Sequence, residues 1–122
     1  TDPCLVIINA YKNLVYTGIF SEGICLFSPA AVPIAQLETK LDSLKLSQVL
    51  CVGDGYNVYL PHMSESLKTR LIRNSSYSDF PKSSFLFEIS KHSKKSDWTL
   101  EWNLYSPLYI RASEAEENLV VK

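Results

Sequence analysis

The first 27 residues constrain the fold more than any other stretch, because apolar runs alternate there with short turn signals. The three runs lie at residues 4–8, 14–20 and 24–27. Lys12-Asn13 and Glu22-Gly23 separate them, and Asn and Gly tolerate the positive φ that two-residue hairpin turns need. The pattern therefore predicts an antiparallel meander of three strands.

A two-residue turn at Lys12-Asn13 would also set the pairing of the first two strands. The predicted partners are Ala10 with Val15, Ile8 with Thr17, Val6 with Ile19, and Leu5 with Phe20. A slip of one residue would exchange the faces of both strands, so the apolar pattern specifies the register. The unbroken apolar run of the first strand further predicts that it is covered on both faces.

After the third run, turn-forming residues and apolar spacing predict helices and one more strand. Ser28-Pro29-Ala30 is expected to end the meander, and Pro33 to be the first residue of a helix. That helix carries one apolar stripe, formed by Ile34, Leu37, Leu41 and Leu44. A short central strand is predicted at residues 48–52, and helices at residues 63–71 and 82–95.

Length and composition bound the class of protein. A chain of 122 residues is expected to form a single domain, residues 1–122, with one core. Apolar residues make up 46% and charged residues 20%, which is typical of a globular protein. The formal net charge of −1 argues against a strong nucleic-acid footprint. No run of 18 apolar residues occurs, so no membrane span is predicted.

The cysteines and histidines give no metal signature. Cys4, Cys25 and Cys51 all lie in apolar runs, which predicts buried, reduced thiols in a cytoplasmic protein. They form no CxxC pair, and His62 and His92 lie at no zinc-ligand spacing from them.

Gly53-Asp54-Gly55 follows the predicted central strand and allows two interpretations. Glycines at the carboxyl end of an α/β strand are a frequent docking place for ligands. The sequence lacks both GxGxxG and a P-loop lysine, however. A tight turn that needs positive φ is the favoured interpretation, with ligand contact left open.

The order strand-strand-strand-helix-strand-helix-helix predicts an α/β fold with the layout of an RNase H-like unit. Such a unit is one half of an actin-like ATPase, with the meander and a later strand in a mixed sheet packed with helices. An RNase H nuclease holds metals with carboxylates on its core strands. The first strand offers only Asn9 there, and the fourth offers none before Asp54. Catalysis by this chain is therefore not expected.

Three motifs resemble one family when taken in order. NAYKNLVYTGIF (residues 9–20) resembles the "DAR-x-GEVY" hairpin that begins the second half of TsaB (YeaZ) proteins. LCVGDGY (50–56) stands where that family has a strand followed by "VGxG". SPLYIRASEAE (106–116) resembles its terminal "P-x-YLR" with a trailing Ser-x-Ala-Glu. Together the motifs span nearly the whole chain.

The first motif departs from the family at three positions. Asn9 replaces Asp, Tyr11 replaces Arg, and Asn13 stands where Gly is usual. Asn is the next most tolerated residue in a left-handed conformation, so we expect the turn to survive. The resemblance therefore does not carry the contacts of the family's Arg over to Tyr11.

The resemblance implies the C-terminal domain of a TsaB-like protein whose N-terminal domain is absent from this chain. TsaB proteins are inactive, glycoprotease-like relatives of TsaD with the same actin-like fold. They support threonylcarbamoyladenosine synthesis at position 37 of tRNA.

The implied partners are a TsaD-like catalytic subunit and a TsaE-like ATPase, contacted mainly through the N-terminal domain. Contact with tRNA would be indirect, no membrane is involved, and a homodimer is a further option. No catalytic, cofactor-binding or metal-binding residue is assigned, and no cofactor is expected.

Tyr109 and Arg111 match the closing motif. We expect them to dock the final segment, with the Tyr109 ring buried and Arg111 paired with a carboxylate.

Two other functions remain open at this point. A glycoprotease-like metallopeptidase would require a His-rich metal site, and two distant histidines do not supply one. An unrelated α/β protein-interaction module would agree with the nearly neutral charge.

Overall fold

The computed structural model describes residues 2–94, 102–104, 106–112 and 116. The chain folds as two compact units, Thr1–Asp79 and Phe80–Lys122. Among the described residues, none of the helices combines the length and the apolar character needed to cross a bilayer.

The first unit is built on a five-stranded mixed sheet. Its strands are β1 (Cys4–Asn9), β2 (Leu14–Ser21), β3 (Ile24–Pro33), β4 (Val49–Val52) and β5 (Leu71–Ile72). Their spatial order is β3-β2-β1-β4-β5. β2 is antiparallel to both β1 and β3, whereas β4 is parallel to both β1 and β5. The predicted meander is confirmed, and the predicted strand at residues 48–52 lies between β1 and β5.

Three helices accompany the sheet: α1 (Leu37–Ser43), α2 (Gly55–Tyr59) and α3 (Glu65–Arg70). A 3-10 turn, Ile34–Gln36, leads into α1. The predicted apolar stripe is confirmed, because Ile34, Leu37 and Leu41 are buried and Leu44 packs against them. The Ser64 hydroxyl caps α3 by accepting a hydrogen bond from the Leu67 N–H at 3.0 Å.

The core lies on one face of the sheet. Leu5 and Ile7 of β1 are 1% and 0% exposed, whereas Ile8, the next residue along the strand, is 42% exposed. The prediction that the first strand is covered on both faces is therefore wrong. Because side chains alternate along a strand, the opposite face of β1 is only partly covered.

The predicted register is also wrong by one residue. Leu5 pairs with Ile19, Ile7 with Thr17 and Asn9 with Val15. The cause is a three-residue turn in place of two: Tyr11, Lys12 and Asn13 have φ of 59°, 51° and 61°. The observed register places buried side chains of β1 beside the buried Val15, Thr17 and Ile19 of β2.

The meander extends beyond its predicted end. β3 continues through Ser28-Pro29-Ala30 to Pro33, which is the last residue of the strand and not the first of a helix. Proline is tolerated because β3 is an edge strand and needs no outward N–H. The pairing with β2 also shifts between Thr17 and Ile19, as at a β-bulge.

Three short elements of the first unit were not predicted: α2, a 3-10 turn at Leu60–His62, and β5. α2 begins directly at Gly55, and β5 contains only two residues. The predicted helix at residues 63–71 is shorter than expected, because Leu71 leaves α3 and begins β5.

The second unit contains α4 (Ser83–His92) and a 3-10 turn at Trp102–Leu104. α4 confirms the helix predicted at residues 82–95 up to His92, and residue 95 lies outside the described residues. Four apolar side chains of α4 are each more than half exposed: Phe85, Leu86, Phe87 and Ile89.

Candidate functional site

The carboxyl ends of the neighbouring strands β1 and β4 place the main polar residues of the first unit at one sheet edge. β1 ends at Asn9 and β4 is followed by Gly53-Asp54. Because the two strands are parallel, these residues meet at the edge where α/β sheets commonly bind ligands. We call the following set the carboxyl-edge cluster: Asn9, Gly53, Asp54, Tyr56, Tyr59, Arg73 and Asp79.

Asn9 joins three parts of the chain. Its backbone N–H donates to Asp54 Oδ1 at 3.1 Å. Its side-chain Oδ1 accepts hydrogen bonds from the Tyr59 hydroxyl at 2.8 Å and from the Tyr11 N–H at 2.9 Å. Asn9 thereby connects the segment after β4 and helix α2 to the first hairpin turn.

Residue 53 must be glycine for two reasons, its backbone conformation and its close approach to β1. Its φ is +112°, which L side chains rarely adopt, and a Cβ there would lie 2.1 Å from the Ile7 carbonyl oxygen. A Cβ on Gly55 would lie 2.8 Å from Ile7 Cγ2. The prediction of a tight turn at Gly53-Asp54-Gly55 is confirmed, and the turn lets α2 begin directly against β1.

An ion pair closes the other side of the cluster. Asp79 Oδ2 lies 2.6 Å from Arg73 Nη2, and Asp79 Oδ1 accepts a hydrogen bond from the Gly53 N–H at 2.9 Å. Arg73 Nη1 donates to the Cys51 carbonyl at 2.8 Å. The Arg73 guanidinium also lies 4.5 Å from the centroid of the Tyr56 ring, in cation–π range. Arg73 and Asp79 thus fasten the segment after β5 to the end of β4.

The electrostatics keep this pair ionised. The hydrogen bond from Arg73, with a further one from the Gly53 N–H, lowers the pKa of Asp79. The same contact with Asp79 raises the pKa of Arg73. The two carboxylates of the cluster, Asp54 and Asp79, both accept hydrogen bonds from the protein itself. These bonds hold the segments after β1, β4 and β5 in place. Among the described residues, no group of three His, Cys, Asp or Glu side chains is arranged to hold a metal ion.

The sequence pointed to Asn9 and Asp54 but not to Tyr59, Arg73 and Asp79. Asp79 stands in a polar loop, and Arg73 follows a strand of two residues that is too short for an apolar pattern. The available sequence signal was Arg73 itself, which stands between the apolar pair Leu71-Ile72 and a polar loop that contains Asp79.

The cysteine prediction is partly wrong. All three cysteines are free; Cys51 is buried and Cys4 half-buried, but Cys25 is exposed. Cys25 pairs with Phe20 near one end of the edge strand β3, where the core no longer covers it. Burial raises the pKa of the Cys51 thiol to about 12, so this sulfur stays protonated and is a poor nucleophile near neutral pH.

One of the two predictions for the closing motif is wrong, and the pairing of Arg111 with a carboxylate stays a prediction. The Tyr109 ring, predicted to be buried, is 79% exposed. Residues 106–112 form no strand or helix, so no hydrogen-bond ladder holds the ring against a surface. Arg111 is partly exposed, and residues 113–115 of the motif lie outside the described residues.

Comparison with known proteins adds no relative: no protein-family model matches the chain, and a search of curated proteins finds no match.

Proposed function

We propose that this chain is the C-terminal, RNase H-like domain of a TsaB-like protein. Its function would be that of a non-catalytic cytoplasmic partner in the synthesis of threonylcarbamoyladenosine at position 37 of tRNA. The reaction would be carried out by a TsaD-like subunit, with a TsaE-like ATPase in the same assembly. Contact with tRNA would be indirect.

The sheet supports this proposal. The antiparallel meander and the later strand β4 lie in one mixed sheet packed with helices, as the resemblance implies. The first family motif also keeps its turn, because Asn13 adopts the left-handed conformation where the family has Gly.

The proposal rests on one observation: the carboxylates of the carboxyl-edge cluster accept hydrogen bonds from other groups of the cluster. In an RNase H-type enzyme this edge would present free carboxylates to metal ions. Here Asp54 accepts from the Asn9 backbone, and Asp79 is held by Arg73 and Gly53. Both oxygens of Asp79 and the Oδ1 atom of Asp54 already have partners in the protein, so a metal ion at Asp79 would have to displace Arg73 and the Gly53 N–H, and a supporting role is favoured.

The test is reconstitution of threonylcarbamoyl transfer to tRNA. A TsaD homologue and its TsaE partner are assayed with the intact protein, without it, and with the intact protein alone. We expect transfer only when the TsaD homologue and the intact protein are both present.

Equal transfer without the intact protein would contradict the proposal. Transfer or metal-dependent peptidase activity by the intact protein alone would instead identify an enzyme.

A further inference from the structure

Helix α4 exposes more large apolar side chains than any other described element. Phe80, just before the helix, and Phe85, Leu86, Phe87 and Ile89 within it are each between 55% and 67% exposed. Among the described residues, the buried core lies entirely within residues 5–71. The apolar side chains of α4 therefore do not contribute to that core. An exposed apolar patch of this kind indicates an interaction surface.

The segment that carries these side chains is positively charged, although the whole chain is not. Lys82 precedes α4, Lys91 lies in its last turn and Lys94 follows it, and all three are exposed. Glu88 is the one acidic residue in the sequence from 80 to 94, so three lysines less one glutamate give this segment a net charge of +2. The formal charge of the chain is −1, which leaves −3 for the other residues. A negatively charged partner is therefore favoured.

A second copy of this chain does not meet that requirement. Antiparallel pairing of two α4 helices would bring Lys82 of one copy towards Lys91 and Lys94 of the other. Parallel pairing would place each lysine beside its own counterpart. Like charges brought together in this way disfavour association.

A narrow groove on a protein partner also fits α4 poorly. Helices that bind in grooves present apolar anchors at i, i+3 or i+4, and i+7. Phe85 and Ile89 are four residues apart, but the residue seven after Phe85 is His92. Phe87 lies on the other side of the helix from this row, and Lys91 Nζ lies 4.7 Å from the centroid of its ring. The apolar side chains thus cover more than one face of α4.

The surface of an anionic lipid bilayer matches both properties of α4. The boundary between headgroups and acyl chains is fluid, so it accommodates an irregular set of apolar side chains without a preformed groove. Phe and Leu together with lysine are typical of helices that lie in the plane of this interface. Lysine can bury its aliphatic stem while its ammonium group reaches the lipid phosphates.

We propose that α4 binds the surface of an anionic lipid bilayer and lies in the plane of the interface. Phe85, Leu86 and Ile89 insert at the boundary of headgroups and acyl chains, and the lysines around the helix contact the lipid phosphates. A helix of ten residues is about 15 Å long, half the thickness of the hydrocarbon core, so it lies on the bilayer and does not span it. The resemblance implies no membrane contact, so this inference goes beyond the proposed function and does not depend on it.

The test is co-sedimentation of the full chain with lipid vesicles. Vesicles of equal parts phosphatidylcholine and phosphatidylglycerol are compared with vesicles of phosphatidylcholine alone, at low and at high salt. We expect binding to the anionic vesicles to be at least about tenfold tighter at low salt, because each lysine near an anionic surface contributes a factor of about five. High salt should reduce this difference, because it screens the charges.

A matched pair of variants tests the apolar part of the surface. Ile89 in α4 and Ile24 in β3 are both 63% exposed, so Ile89→Ser and Ile24→Ser make the same change at equal exposure. We expect Ile89→Ser to weaken binding to anionic vesicles at least about fivefold, since an inserted apolar side chain is lost. Ile24→Ser should leave binding unchanged. The Tm of Ile89→Ser should stay within about 2 °C of wild type, because the side chain is exposed in the free protein.

A charge variant tests the basic part. Lys82→Gln combined with Lys94→Gln should weaken binding to the anionic vesicles about 20-fold and leave binding to phosphatidylcholine unchanged. Equal binding of this variant and wild type to anionic vesicles would overturn the assignment of an anionic surface.

The remaining outcomes separate this inference from the proposed function. Absence of binding to anionic vesicles overturns the inference, whatever the transfer assay shows. Equal weakening by Ile24→Ser and Ile89→Ser overturns it as well, because the effect would not come from α4. A fall in Tm of several degrees in Ile89→Ser would mean that this side chain serves the fold, with the same consequence. If vesicles do not bind but Ile89→Ser abolishes threonylcarbamoyl transfer, α4 contacts a protein and not a bilayer; the inference fails while the proposed function stands.

Discussion

The two hairpin turns of the meander reach similar backbone conformations by different means. The first turn uses three non-glycine residues, all left-handed, and is tied to Asn9 and to Ile34. The second turn uses Glu22 and Gly23, with φ of 50° and 80°. A Cβ placed on Gly23 would meet nothing within 4 Å.

The two turns differ in whether local or distant residues determine the conformation of the turn. The second turn carries a signal of its own, because Gly23 adopts a positive φ without a steric penalty. The first turn depends on distant groups: Asp54 and Tyr59 hold Asn9 across 45 and 50 residues of sequence, and Asn9 then holds Tyr11. A turn held by remote contacts can adopt a conformation that its own residues disfavour.

The largest expected effect comes from filling the space between β1 and the end of β4, next to the groups that hold the first turn. Gly53→Ala would place a Cβ 2.1 Å from the Ile7 carbonyl oxygen at a φ of +112°. β4 cannot then keep its distance from β1, so we expect the free energy of unfolding to fall by about 3 kcal/mol or more. Urea denaturation followed by circular dichroism measures this change.

Gly23→Ala is the matched control in the second turn. It has the same change in chemistry and a positive φ but open space around the new Cβ. We expect a loss of about 1 kcal/mol from the left-handed conformation alone. Equal losses for the two variants would show that the close approach of β4 to β1 is not what requires Gly53.

The second prediction removes the link between the cluster and the first turn. Asn9→Ala leaves the Tyr11 N–H and the Tyr59 hydroxyl without their shared acceptor. Because Tyr59 is only 5% exposed, its hydroxyl cannot easily turn to water, and we expect a loss of about 2 kcal/mol in unfolding free energy.

Hydrogen exchange checks the same variant locally. The amide of Tyr11 should exchange faster in Asn9→Ala, while the amides of Glu22 and Gly23 in the second turn should keep their rates relative to global unfolding. Faster exchange at both turns by the same factor would contradict a specific support of the first turn by Asn9.

The two turns also show how much a sequence reveals about a hairpin. Glu22-Gly23 was predicted correctly, because a glycine inside a two-residue gap is a local signal. The turn predicted at Lys12-Asn13 is present but is one residue longer than predicted. Nothing in the sequence indicates that Tyr11 also adopts a left-handed conformation. That single residue shifted the whole predicted register of β1 against β2.

The candidate site was predictable only in part for a similar physical reason. Asn9 and Asp54 follow apolar runs closely, so periodicity could find them. Arg73 and Asp79 reach the site through a two-residue strand and a loop, and their position depends on tertiary contacts with Gly53 and Cys51. Long, periodic elements such as α1 were predictable because their burial pattern repeats.

The third prediction concerns pH. Asp79→Asn can keep an oxygen for the Gly53 N–H but removes the charge that pairs with Arg73. We expect a loss of about 1.5 kcal/mol near pH 7, because a hydrogen bond between charged groups is stronger than its neutral counterpart.

The direction of the pH dependence follows from the lowered pKa of Asp79 in the folded state. The stabilisation is fully present above the unfolded pKa of about 3.9 and is lost as pH falls through the lower folded pKa. Thermal unfolding between pH 7 and pH 2 should therefore show wild type and variant converging at the acid end. A constant difference at all pH values would exclude the ion pair as its source.

The smallest effect tests whether the second turn is determined locally. Asn-Gly is the preferred pair for a two-residue turn with positive φ at both positions, so Glu22→Asn should raise the unfolding free energy by about 0.5 kcal/mol. Careful chemical denaturation with an unchanged m-value resolves such a shift in midpoint. A loss of stability would mean that Glu22 contributes through contacts elsewhere in the protein. The second turn would then depend on remote groups as the first one does, and the contrast between the two turns would disappear.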